Sequence, residues 1–328
     1  MVLEGPGPIE AGRLSRRRLP DGQPGPGEVR IEVEACAVCR TDLQIAAGDL
    51  GAHRLPIVPG HQVVGRVAEV GPGVTSYAPG TRVGVGWMAS ACGRCRFCQE
   101  GRENLCPDAT FTGWDRDGGY ATQMLALADF VQPLPEGRAA VELAPLLCGG
   151  IIGFRALRQT GLSSGQRLGL FGFGASALLV LQVARHQGLE VHVVSRDPGS
   201  RDRARALGAA WVGGAGERPP SPLQGAITFA PAGSVVIEAL RALDRGGTCV
   251  VNAIHLDGVP AFPYPDLYWE RRLMSVANFT REDGRELLEL AQRIPIQTRF
   301  QTLPLWEAAS ALERVQSDRV DGALVLVP

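Results

Sequence analysis

From residue 167 onward the chain alternates short apolar runs with amphipathic stretches, a rhythm that few architectures satisfy. Residues 167–171 read as a buried strand, 175–187 as a helix, 191–195 as a second strand and 201–207 as a second helix. The alternation continues through 226–229, 235–243, 248–251 and 273–276. Each helix returns the chain to the end of the sheet where the previous strand began, so the strands must run parallel. The expected fold class for this half is a doubly wound parallel sheet. Between its first strand and first helix lies Gly172-Phe173-Gly174-Ala175-Ser176-Ala177. Gly172 permits a tight turn, and Gly174 lets a pyrophosphate approach the backbone. Ala175 opens the helix, whose positive end faces that anion, and the small Ala177 keeps the helix close to the sheet.

At the end of the second strand a carboxylate would receive a ribose diol and repel a 2′-phosphate. That position falls on Ser195, followed by Arg196. A hydroxyl and a guanidinium suit a phosphate better, so NADP is favoured over NAD. Asp197 is the competing acceptor if the strand runs two residues longer. Arg201, Arg203 and Arg205 read as the solvated face of the next helix.

The first part of the chain has a different texture. β-Branched alternation at residues 29–33 and 63–70, punctuated by Gly71-Pro72-Gly73 and Pro79-Gly80, predicts an irregular, turn-rich β domain. Residues 133–136 read as a linker, and 141–159 as two short helices separated at Gly149-Gly150. Past residue 278 the pattern gives a helix at 282–292, a strand at 299–303, a helix at 305–315 and a strand at 322–327. Pattern alone does not assign them to either domain.

Two cysteine groups point to metal. Cys92, Cys95, Cys98 and Cys106 form C-x2-C-x2-C-x7-C in a lobe with little apolar material. Four thiolates at that spacing fit a closed tetrahedral zinc site that replaces a missing core, with a [4Fe-4S] cluster as the minority alternative. The other group centres on Cys39-Arg40-Thr41-Asp42, a thiol, a hydroxyl and a carboxylate within four residues. Alone, these prove nothing, since two cysteines three apart, Cys36 and Cys39, are more often a small buried residue and a bystander than a metal site. The 33 basic residues are all arginine, which excludes Schiff-base and lysine general-base chemistry. They nearly balance 34 acidic residues, so no field draws in nucleic acid or an acidic membrane surface. No apolar run is long enough to span a bilayer, and residues 1–10 lack signal-peptide character, so a cytoplasmic location is expected.

Taken together, Cys39-Arg40-Thr41-Asp42, Gly60-His61, the cysteine quartet, Leu147-Cys148-Gly149 and the glycine turn resemble, in order and over nearly the whole length, the zinc-dependent medium-chain alcohol dehydrogenases. The resemblance implies a GroES-like β domain over 1–148, a Rossmann cofactor domain over 149–278 and a return to the first domain over 279–328. It implies two Zn²⁺ per subunit. One is the family's open Cys2His site, here Cys39, His61 and Cys148, and the other is the closed quartet. Thr41 would take the substrate's hydroxyl proton through a hydrogen bond and Asp42 would orient His61. Arg40 would meet the cofactor pyrophosphate, and Trp87 and Trp114 would line the pocket for a small alcohol or aldehyde. A tetrameric or dimeric assembly is also implied.

Three positions depart from the family pattern. Gln62 stands where a glutamate usually follows the histidine, Gln44 where many members carry a proton-relay histidine, and Ala323 where a C-terminal arginine is expected. Loss of both members of a charged pair is tolerated better than loss of one, so Gln62 and Ala323 read as linked. His53 or water is the expected alternative proton exit. A polyol or secondary-alcohol dehydrogenase, or a relative that binds zinc and nucleotide without turnover, are the competing functions.

Overall fold

The computed structural model describes residues 1–9, 13–317 and 320–328. It divides into two compact units, one of Met1–Cys148, Thr280–Gln292 and Gln297–Pro328, the other of Gly149–Phe279 and Arg293–Ile296.

The first unit is built on strand Glu28–Ala37. Val29, Ile31 and Val33 point inward along it, and the intervening polar residues point outward. Past a register shift between Val33 and Ala35 the alternation ends, and Ala35, Cys36 and Ala37 are all buried. The strand is therefore enclosed on both faces where it delivers Cys39. One edge pairs with Val63–Val70. The other is shared, with Gln123–Leu127 along its first half and Ala323–Val327 against Cys36 and Ala37. Arg82–Val85, Val131–Pro133 and Phe300–Pro304 complete the sheet.

The second unit holds a six-stranded parallel sheet in the order Trp211–Gly213, Glu190–Val194, Arg167–Phe171, Leu223–Thr228, Leu243–Val251, Arg272–Ser275. Its central strands are buried along almost their whole length, as helices on both faces require. Helix Gly149–Thr160 lies tight against helix Ala175–His186, because a Cβ at Gly153 would come within 2.5 Å of Val180. The expected doubly wound sheet and β domain are both present.

Boundaries moved where capping overrides periodicity. The helix expected at 201–207 begins at Pro198, since the Asp197 carboxylate accepts from Ser200 N at 2.6 Å and caps it. The break expected at Gly149-Gly150 falls one residue earlier, on Cys148, and both glycines lie inside the following helix. The helix expected at 305–315 starts as a 3₁₀ turn, Leu305–Glu307, before Ala308–Gln316. Among the described residues no single helix is long and apolar enough to cross a membrane.

Candidate metal and cofactor sites

Cys39 has extended backbone and caps helix Arg40–Ala47. Asp42, in that helix's first turn, reaches back to accept from Cys39 N at 2.9 Å, so the local capping geometry places the carboxylate beside the thiol. The same carboxylate accepts from the Tyr120 hydroxyl at 3.1 Å and lies 2.8 Å from His61 Nδ1. Asp42, His61 and Tyr120 are almost fully buried. A carboxylate only accepts, so Nδ1 carries a proton and Nε2 is left as the nitrogen that can ligate. That buried Nε2 makes no well-formed hydrogen bond among the described residues, although it interacts with the Cys39 thiol.

Glycine makes the approach of His61 possible. Gly60 has φ +98°, and a Cβ there would lie 2.4 Å from the Tyr120 ring. Gly118 closes over the same peptide, where a Cβ would come 2.0 Å from Gly60 O. Cys148 arrives from the other side of the sequence, at the break after turn Ala144–Leu147, which the buried Leu146 and Leu147 anchor.

Cys39, His61 and Cys148 converge, each offering one donor atom, with all three atoms within 4.8 Å of one another. Their electrostatics are those of shared protons. A hydrogen bond from Cys148, with His61 nearby, holds the Cys39 thiol well below its ordinary range against the opposing effect of burial. The same pairing, reinforced by burial, pushes Cys148 up. Burial works to lower the His61 pKa, but the charges of Asp42 and Cys39 outweigh it and raise the value to about 10. Two sulfurs and an imidazole whose Nε2 proton a metal would displace, in a negatively biased, buried place, fit a borderline-soft divalent cation.

The quartet also converges. The donor atoms of Cys92, Cys95, Cys98 and Cys106 lie within 4.8 Å of one another. Backbone N–H groups turn inward onto the sulfurs, Cys92 N to Cys106 Sγ and Cys95 N to Cys92 Sγ, each at 3.4 Å. Amide donors from Arg94 and Cys95 lower Cys92 to about 7, whereas desolvation raises Cys98 to about 12. Helix Arg96–Gln99 buries no residue, so the lobe has almost no apolar core of its own. It is tied down through buried Glu103, which accepts from Arg281 N at 2.9 Å and Arg281 Nε at 3.2 Å.

In the second unit Gly172 has φ +91°, and a Cβ would come 3.0 Å from Ala230 N. Gly174 faces open space, Ala175 is exposed and Ala177 is fully buried. The turn thus presents backbone outward and a small side chain inward. Strand Glu190–Val194 stops before Ser195, whose oxygen accepts from Asp197 N at 3.4 Å. Asp197, two residues beyond the strand, caps the following helix through one carboxylate oxygen. Arg196 is exposed and forms no ion pair among the described residues. Arg201 folds back onto the carbonyls of Ser195 and Arg196, whereas the helix-face reading left it in solvent.

The remaining predicted residues have mixed settings. Thr41 is buried with its Oγ1 3.6 Å from Cys39 Sγ. Arg40 is exposed and donates to Val315 O at 3.3 Å. Trp87 sits edge-on to His61, with ring centroids 4.8 Å apart, and Trp114 stacks on Trp87 at 5.9 Å. Gln62 donates from Nε2 to Ala37 O at 3.3 Å, a bond an ionised glutamate could not make. His53 pairs with Asp115, and among the described residues no hydrogen bond connects it with Thr41 or Gln44. Tyr120, the third partner of Asp42, was missed, because an aromatic after Gly118-Gly119 carries no local signal of a polar role.

A GroES-like β domain with a Rossmann domain defines the medium-chain dehydrogenase class. Residues 25–136 match the family model of the alcohol dehydrogenase GroES-like domain. A probable alcohol dehydrogenase of Mycobacterium tuberculosis is 46% identical, over 98% of this chain and 95% of that protein. A cinnamyl alcohol dehydrogenase of Sorghum bicolor superposes with TM-score 0.89 at 28% identity, covering 98% of this chain and 96% of that one. A cobalt- and zinc-bound thermostable alcohol dehydrogenase from Pyrobaculum aerophilum gives TM-score 0.89 at 26% identity, covering 100% and 98%. The chain belongs to the zinc-type medium-chain alcohol dehydrogenase family.

Proposed function

We propose that this protein is a cytoplasmic, homo-oligomeric dehydrogenase that interconverts primary or aromatic alcohols and their aldehydes, using NADP in preference to NAD. The convergence of the Cys39, His61 and Cys148 donor atoms carries this reading. These three residues would hold one zinc and the quartet a second. Bound at the first site, zinc supplies Lewis acidity, which lowers the pKa of an alcohol and polarises an aldehyde carbonyl.

The chain's own groups do the rest. Asp42 fixes the His61 tautomer, keeping Nε2 as the nitrogen for ligation. Thr41 Oγ1, beside the Cys39 sulfur, accepts the hydrogen bond of the substrate hydroxyl and takes that proton as it passes its own hydroxyl proton on to water. The Gln44 amide neither gains nor loses protons, so the proton leaves Thr41 by another path. At the nucleotide turn Gly172 and Gly174 admit the pyrophosphate, while Ser195 and the exposed Arg196 receive the 2′-phosphate.

Titrating NADP and NAD into wild type and Arg196→Ala tests the cofactor assignment. One charged hydrogen-bond partner corresponds to about ten- to a hundredfold in affinity. NADP binding should weaken by that factor and NAD binding by much less; equal weakening of both refutes the role of Arg196. Failure to oxidise any alcohol with cofactor and both metals bound would leave a silent binding protein instead.

A further inference from the structure

Residues 48–56 form an exposed segment that leaves helix Arg40–Ala47 and has almost no apolar anchor of its own. Contacts to the turn at 111–117 hold it instead. Trp114 Nε1 donates to Gly51 O at 2.9 Å, Arg54 pairs with Asp117 at 3.3 Å, and His53 Nδ1 lies 2.7 Å from Asp115 Oδ1. Asp115 is a rigid partner, because its other oxygen accepts from Phe111 N at 2.8 Å and its own N–H donates to Phe111 O at 2.9 Å. His53 is thereby pressed flat on the Trp114 indole, with centroids 3.7 Å apart and planes 19° from parallel.

The stack continues inward. Trp114 lies 5.9 Å from Trp87 and 5.8 Å from Phe111, and Phe111 lies 4.9 Å from Trp87. Trp87 itself is buried and meets His61 edge-on. One continuous aromatic surface therefore runs from the three-donor centre to the exposed segment, and its outer end is fixed only by what clamps Trp114.

We propose that His53, latched to Asp115 and stacked on Trp114, is a positioning residue that holds this aromatic wall in place for the ring of an aromatic alcohol or aldehyde. The proposal rests on the dehydrogenase reading above and adds the group that sets its selectivity. On the two segments Arg54 pairs with Asp117 and Arg116 with Glu28, while Asp115 meets His53. Asp115 is therefore its specific partner. A His53→Phe substitution keeps the stacking and removes the hydrogen bond, whereas His53→Ala removes both.

The test uses the zinc-loaded enzyme with NADP, with benzyl alcohol and ethanol as substrates. For His53→Ala the ratio of kcat/KM for benzyl alcohol over ethanol should fall about three- to tenfold, the range of one aromatic contact, with the loss in KM for benzyl alcohol. His53→Phe should recover part of that ratio. Acrylamide quenching of tryptophan emission should rise in His53→Ala, and Trp114→Phe should abolish the rise by removing the newly exposed indole. An unchanged selectivity ratio in His53→Ala overturns the proposal even if quenching rises, and unchanged quenching overturns the latch. If wild type turns over neither alcohol, the dehydrogenase reading falls, and the quenching comparison alone decides whether His53 fixes Trp114.

Discussion

Replacing Asp42 by asparagine separates the geometry of the three-donor centre from its charge. The carboxylate accepts three bonds, from His61 Nδ1, Cys39 N and the Tyr120 hydroxyl, at 2.8, 2.9 and 3.1 Å. An amide has one oxygen, so one side of this arrangement must face an NH₂ group. The Tyr120 hydroxyl can rotate and accept, but the Cys39 N–H cannot. The favoured orientation therefore leaves the oxygen with Cys39 and Tyr120 and turns the NH₂ toward His61. Nδ1 must then become the acceptor, which puts the proton on Nε2, the atom that would ligate. Reversing this costs about 1.5–3 kcal/mol, the value of a hydrogen bond to a charged group. It matches the about ten- to hundredfold loss of metal affinity seen when a ligand's supporting partner is removed. Cobalt(II) loading of the apoprotein against a competing chelator reads the two sites separately, since the four-sulfur site and the mixed site absorb differently. The mixed site should weaken by that factor and the quartet should not change. Mixed-site affinity within about twofold of wild type, with an unaltered melting temperature, would show that Asp42 does not set the His61 tautomer.

Other perturbations have definite expected outcomes. Gly60→Ala combines a left-handed backbone with a Cβ 2.4 Å from the Tyr120 ring, so urea denaturation should show a loss of about 2–5 kcal/mol; less than 1 would mean that Tyr120 yields freely. Uptake of metal by the quartet should strengthen as pH rises, because thiols with values as far apart as about 7 and about 12 must all lose protons; proton release measured on zinc addition checks the sign. Asp197→Ala should cost about 1 kcal/mol through its lost cap. Asp197 is held below the usual carboxylate range first by the Ser200 side chain and then by the Ser200 N–H. A depressed folded value contributes stability above the unfolded value of about 3.9, so the gap to the variant should close as pH falls through the lower folded value.

Much of this was legible in the sequence where the determinants are local. Cys39 and Asp42 are joined by the capping geometry of one helix turn, and the quartet's spacing already encodes its convergence. The second unit followed from apolar periodicity because parallel strands are buried on both faces. Tyr120 was not legible, because its link to Asp42 depends on a packing of Gly60 and Gly118 that no local pattern announces. The domain of the segment past residue 278 was hidden from pattern, and only the family resemblance implied its return, since Ala323–Val327 pairs with Ala37 and Cys36 across almost the whole sequence. The break at Cys148 was misplaced onto the glycines beside it, whose flexibility helix Gly149–Thr160 does not use.

That long-range pairing imposes an order on biosynthesis. The Gly149–Phe279 stretch is nearly self-contained and can collapse while translation continues. The polypeptide around Cys39 must wait, because Val38 N bonds to Leu324 O, which is translated long after it. Until that strand docks, a nascent chain would hold its thiols in an unfinished enclosure, open to oxidation and to the wrong metal.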